Sequence, residues 1–171
     1  SMPLALTVSR EARDRRGELA ALLALGEHAA STDEPRAAVD HYAAAVVVAN
    51  ELDDQAASAR ARLGLAAVYT ALGEPSNAVE HDRWALVLLR QAGDKTGELQ
   101  VLRRLAGAEA ATGEPIEAAR HYDQALALAR EAGDQAAELG ALLGLAPVAA
   151  RLGEPRRAAD CYRSALPLSR A

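Results

Sequence analysis

Apolar and small residues recur along the chain at intervals of three and four. Between Asp94 and Thr112 they fall at Leu99, Leu102, Leu105, Ala106 and Ala110, and after Pro115 at Ala118, Tyr122, Ala125, Leu126 and Ala129. Such spacing gathers residues on one face of an α-helix, so each stretch predicts a helix with one side to bury. Gly113-Glu114-Pro115 separates the two. The glycine can adopt the left-handed conformation that ends a helix, and the proline can open the next, where its missing N–H costs nothing. Glu114 falls at the N-cap, a place that Asp fills better. At the other joint Gly93-Asp94 and Gly133-Asp134 supply a stop and a cap. Connections this short make each helix pair an antiparallel hairpin.

The pattern returns every forty residues without a gap. Pro35, Pro75, Pro115 and Pro155 share a column, as do Ala38, Ala78, Ala118 and Ala158, and Leu25, Leu65, Leu105 and Leu145. The predicted helices are Arg10–Ser31, Pro35–Leu52, Asp54–Ala71, Pro75–Gln91, Asp94–Ala111, Pro115–Glu131, Asp134–Arg151 and Pro155–Arg170. One hairpin cannot bury both its apolar sides, so neighbours must stack. The expected fold is all-α: an α-solenoid of four tandem helix-turn-helix repeats in a right-handed superhelix with a concave inner surface. It forms one domain over residues 1–171, with repeats at 14–53, 54–93, 94–133 and 134–171. Residues 5–12, ALTVSREA, read like Ala125 to Ala132, ALALAREA, so residues 1–13 are either the tail of a preceding helix or an N-terminal cap. Both ends look cut from a longer array; the alternative is that Met2 is the true start and Ser1 a cloning scar.

Within the second helices the columns spell Ala38-x₃-Tyr42-x₂-Ala45, Ala118-x₃-Tyr122-x₂-Ala125 and Ala158-x₃-Tyr162-x₂-Ala165. In the first helices they spell Leu102-x₂-Leu105-Ala106 and Leu142-x₂-Leu145-Ala146. These motifs resemble the tetratricopeptide repeat over almost the whole chain. The period of forty exceeds the usual thirty-four, like the long-repeat subclass of bacterial regulators, signalling ATPases and polarity or motor adaptors. The resemblance implies a module that binds peptides or proteins along its concave groove, lined mainly by first-helix positions. Here those are Leu23, Ala24, Glu27 and Ala30; Arg60, Leu63, Gly64, Ala67 and Thr70; Gln100, Arg103, Arg104, Gly107 and Ala110; and Gly140, Leu143, Gly144, Pro147 and Arg151. The basic and asparagine pattern with which chaperone-binding members clamp a C-terminal carboxylate is missing, since Leu23, Glu27, Gly64 and Gln100 occupy most of its places and only Arg104 fits.

Composition agrees with helices in close approach. Half the residues are apolar, only 3% are aromatic, Phe is absent and Ala is the commonest residue, the best helix former and the smallest at a helix contact. A net charge of −5 argues against nucleic acid, whose phosphates demand clustered cations. The single cysteine, Cys161, excludes an internal disulfide and a cysteine-rich zinc site and fits a reducing, cytoplasmic compartment. The longest apolar run, Ala43 to Ala49, falls far short of the roughly 20 residues that span a bilayer, so no membrane association is expected. The excess of Arg over Lys hints at a GC-rich bacterial genome.

The pattern breaks in the second repeat. Arg62 stands in the column of Leu22, Leu102 and Leu142, and Asp82 in that of Tyr42, Tyr122 and Tyr162. Both columns should face inward, where an unpaired charge is costly. With Arg103, Arg104 and Glu109 they suggest a polar patch in mid-groove, Asp82 paired to an arginine; the simpler reading is that the arginines snorkel to solvent and Trp84 supplies the packing. Glycines at Gly64, Gly107, Gly140 and Gly144, each costing about 1 kcal/mol against Ala in a helix, either admit a ligand backbone or let neighbouring helices pack. His41, His81, His121 and Cys161 share a column, but equivalent positions on stacked helices lie about 10 Å apart, and half-buried surface histidines are the expectation rather than a metal site. Pro147 and Pro167 should kink their helices and leave the last repeat the least regular. With no catalytic grouping and no cofactor motif, the expected function is a non-enzymatic scaffold for a protein or peptide. The alternatives are a ligand-sensing domain of a bacterial regulator, or a homo-oligomer built through the terminal repeats.

Overall fold

The computed structural model describes residues 2–170; the side chains of Met2, Pro3, Ala5, Leu6 and Ser9 are not described, and Ser1, read as a cloning scar, lies outside, as does Ala171. The described residues form eight helices: α1 (Met2–Ser31), α2 (Pro35–Glu51), α3 (Gln55–Ala71), α4 (Pro75–Ala92), α5 (Lys95–Ala111), α6 (Pro115–Ala132), α7 (Gln135–Arg151) and α8 (Pro155–Ser169). The fold is the expected all-α chain of helix-turn-helix repeats, and from α2 onward every boundary lies within one or two residues of its predicted place.

The turns follow the local chemistry. Gly73, Gly93, Gly113, Gly133 and Gly153 all have positive φ, and Asp33 and Asp53 take the same conformation where the glycine is missing. After each second helix an aspartate caps the next first helix. Asp54, Asp94 and Asp134 accept hydrogen bonds from the backbone N–H of Ala57 (3.0 Å), Gly97 (2.9 Å) and Ala137 (3.0 Å). Glu34, Glu114 and Glu154 stand at the other N-caps and bond no backbone N–H with their side chains, so there the proline at the first helical position sets the start.

One expectation is corrected. The first helix does not begin at Arg10 but runs unbroken from Met2 through Asp14. Arg13 stands where Asp53, Gly93 and Gly133 turn left-handed, and a bulky side chain disfavours that turn. As their predicted ranges have it, α7 continues through Pro147 and α8 through Pro167. Pro147 is exposed, and so is Leu143, whose carbonyl loses its partner; water can satisfy that group, which lessens the cost of the missing bond.

The chain divides into two compact units, residues 1–74 and 75–171. In the first, α1 packs on α2 and α2 on α3, around Leu19, Leu23, Tyr42, Val46, Ala61, Leu65 and Val68. Ala38, Ala45 and Ala49 are completely buried, the small residues that let the helix backbones approach. In the second unit each helix from α4 to α8 packs on the next, and α5 also touches α7. Leu102 and Leu105 are completely buried there, and Tyr122, Leu142, Leu145 and Ala146 lie at the α6–α7 contact.

Candidate functional site

The first-helix positions expected to face a partner are displayed separately in the two units. In the first unit Arg60, Ala67 and Thr70 of α3 are exposed, and Arg62 and Leu63 are half-buried. Arg60 Nε donates to Glu27 Oε1 of α1 at 2.8 Å, and Thr70 Oγ1 donates to the Ala66 carbonyl at 2.8 Å. Beside them Arg16, Leu19, Leu23, Ala57 and Arg60 line a cleft of about 390 Å³. In the second unit Gln100 and Arg103 of α5 and Leu143, Pro147 and Arg151 of α7 are exposed, while Gly107 is half-buried. Arg103 lays its guanidinium over Gly140, where a Cβ would collide with it. Arg151 Nη1 reaches across to the Ala110 carbonyl at 3.0 Å.

The glycines accommodate tyrosines of the chain itself. A Cβ on Gly64 would stand 2.5 Å from Tyr42 Cζ, and one on Gly144 would stand 2.5 Å from Tyr122 Cζ. Tyr42 and Tyr122 thus each seat a ring in a notch on the following first helix, and the reading in which these two glycines admit a ligand backbone is corrected. Gly107 differs, since its nearest neighbour would be Tyr122 Oη at 3.5 Å, an ordinary contact.

The same two columns meet once more, between α4 and α5, with different chemistry. Asp82, in the tyrosine column, is completely buried. Arg104, in the glycine column, donates from Nε to its Oδ1 (3.2 Å) and Oδ2 (3.0 Å) and closes a fork through Nη2. Desolvation raises the Asp82 carboxyl above its ordinary value, and the Arg104 hydrogen bond and charge pull it back. Asp82 thus has the arginine partner that its buried charge requires.

Glu109 is the second completely buried acid. His121 Nδ1 lies 2.8 Å from its Oε2, and Arg83 Nη2 approaches its Oε1 to 3.6 Å while holding Glu114 Oε2 at 2.6 Å. Oε1 has no hydrogen bond. Buried as they are, neither Asp82 nor Glu109 can offer a carboxylate to a partner, which corrects their placing among the groove residues. His121 is corrected too, being a buried partner of Glu109 rather than half-buried on the surface. Sequence reasoning missed Arg83 and the His121 pairing. The signal for the latter was one departure, Glu109 where the other repeats have Ala29, Tyr69 and Ala149, twelve residues before a histidine of the repeated column. Near Arg83, Val79, Trp84, Val87 and Thr112 help line a cleft of about 480 Å³.

Among the described residues no group of His, Cys, Asp or Glu is placed to hold a metal ion, and no helix is long and apolar enough to cross a membrane. Burial pushes the Cys161 thiol up, which disfavours the reactive thiolate.

An array of helical hairpins whose tyrosines seat on the next first helix defines an α-solenoid repeat protein. Residues 97–171 match the family model described as tetratricopeptide repeat. No curated protein sequence matches it. Among solved structures it is similar to BtubC (BKLC) from P. vanneervenii, with TM-score 0.78 and 18% identity over 88% of this chain and 63% of that one. It is similar to the nearly identical TPR-like repeats of a Podosopora anserina putative kinesin light chain, with TM-score 0.72 and 18% identity over 88% and 74%. A third is a Rap protein complexed with competence and sporulation factor, with TM-score 0.68 and 15% identity over 91% and 43%. The chain therefore spans under two thirds of the length of BtubC and under half of that Rap protein. At such identities the likeness is one of fold.

Proposed function

We propose that the chain is a non-enzymatic scaffold that holds a protein or peptide along its first-helix groove, as part of a larger regulatory protein acting in a bacterial cytoplasm. The observation that carries this reading is the α5–α7 face, where Arg103 and Arg151 flank exposed Leu143 and Pro147. Two cations around an apolar strip suit a segment that combines acidic with apolar side chains, the charges steering it and the strip supplying buried area. Arg60, Leu63, Ala67 and Thr70 make up the corresponding face of α3. Arg62 and Gly107 border these faces, and Arg104 acts behind them by holding Asp82. The fold supports the reading, and a Rap protein of similar fold has been solved in complex with competence and sporulation factor.

The test is selection from a displayed peptide library, followed by fluorescence anisotropy on the selected sequences. Acidic, apolar peptides are expected, losing on the order of tenfold or more in affinity when Arg103 and Arg151 are both changed to Glu. Peptides bound equally well by that variant would show that the groove face is not where they bind.

A further inference from the structure

Every internal joint of the two units buries the same columns, and the two terminal helices leave those columns in solvent. In the tyrosine column Tyr42 is 5% and Tyr122 9% exposed, whereas Tyr162 on α8 is 52% exposed, with Leu166 beside it at 53%. In the leucine column that faces the preceding hairpin Leu65 and Leu145 are 2% exposed, whereas Leu25 on α1 is 46% exposed. The outer face of α8 therefore matches the faces of α2 and α6 that receive a first helix. The outer face of α1 matches the faces of α3 and α7 that are received.

Charge selects the pairing. Two internal joints carry an ion pair at fixed columns: Arg90 Nε to Glu98 Oε1 at 2.9 Å and Arg130 Nε to Glu138 Oε1 at 2.9 Å. The terminal members of those columns are Arg170 after α8 and Glu18 on α1. Glu18 already receives Arg15 on Oε2, as Glu98 receives Lys95 on its Oε2, so Oε1 corresponds to the oxygen that takes the arginine of the preceding helix.

We infer that a second copy of this chain docks head to tail, its α1 lying on α8 as α3 lies on α2 and α7 on α6, with Arg170 of one copy paired to Glu18 of the next. The contact is heterologous, the α8 face of one copy meeting the α1 face of the next, so it repeats from copy to copy as the concentration of this chain rises. One position fits less well. Ala24 stands in the column of Gly64 and Gly144, so its methyl displaces the Tyr162 ring and leaves this joint weaker than the internal ones. The contact uses the outer faces of α1 and α8 and needs no partner in the groove.

Sedimentation equilibrium over a concentration series tests it. The chain is expected to show a mass that climbs past the monomer. Leu25→Glu and Tyr162→Asp, both at exposed positions, are each expected to be monomeric with unchanged helical circular dichroism. Mixing those two variants is expected to give a 1:1 dimer that grows no further, since each retains the end the other has lost. Arg170→Glu should weaken association on the order of fivefold, the weight of a part-exposed ion pair, and adding Glu18→Arg should restore it. Ala24→Gly should strengthen it. A strict monomer at the highest soluble concentration overturns the inference, as do oligomers unaffected by Leu25→Glu and Tyr162→Asp, or a mixture of the two that stays monomeric while the parent associates.

Discussion

The α2–α3 and α6–α7 joints place a tyrosine against a glycine, whereas the α4–α5 joint places an aspartate against an arginine at the same two columns. Bulk lost from one helix is returned by the other. An aromatic ring in a notch becomes a short acid met by a long base that fills the notch from the opposite side. The exchange works only as a pair. Tyrosine facing Arg104 would overfill the joint, and aspartate facing glycine would leave a buried charge without a counter-ion. The charged joint therefore marks α5 as the one acceptable successor to α4, a discrimination achieved by penalising the wrong neighbours as much as by favouring the right one.

The largest effect expected from breaking this comparison is at Arg104. Arg104→Gly recreates the notch with no ring to fill it and strands the Asp82 carboxylate, so it should cost about 3–5 kcal/mol in urea unfolding. A loss near zero would mean the pair carries little of the joint.

Smaller effects separate the glycines. Gly144→Ala must push the Tyr122 ring, and is expected to cost about 1–3 kcal/mol from overpacking, offset by roughly 1 kcal/mol of helix propensity. Gly107→Ala meets only an ordinary contact and should be neutral or stabilising by up to about 1 kcal/mol. Equal melting temperatures for the two variants would deny the notch its special role.

The smallest effect is one of pH. Burial raises the Asp82 carboxyl above its ordinary range, against the opposing pull of Arg104, so the native state binds its proton more tightly than the unfolded chain does. Its contribution to stability is complete below the ordinary aspartate range, near about 3.9, and is lost as pH rises through the raised native value. The stability of the protein relative to its Asp82→Asn variant should accordingly fall with rising pH across the acid range. A difference that grows with pH would mean that Arg104 outweighs desolvation.

Much of the fold was legible because its determinants are local. Glycine stops, proline starts and aspartate caps recur every forty residues, and each acts within a turn of itself. The exception, α1, turns on Arg13, which removes a stop that the repeat otherwise supplies. At the site, the break at Asp82 was legible as a need for a partner, but three arginines stood within reach. What singles out Arg104 is its own column, otherwise Ala24, Gly64 and Gly144, which faces the tyrosine column across the joint. That relation is tertiary and shows only when the hairpins stack. The Glu109–His121 pair spans a turn, and Arg83 belongs to no repeating pattern, so neither arrangement follows from periodicity.

The most direct measurement is a double-mutant cycle on Asp82→Tyr and Arg104→Gly, with unfolding free energies taken in dilute solution. If the charged pair replaces the ring and its notch, each single change destabilises the protein. The double variant, which rebuilds the joint of Tyr42 with Gly64 and of Tyr122 with Gly144, should recover most of the loss or exceed the parent. A double variant whose loss equals the sum of the two single losses would show that the two columns act independently and would contradict the account.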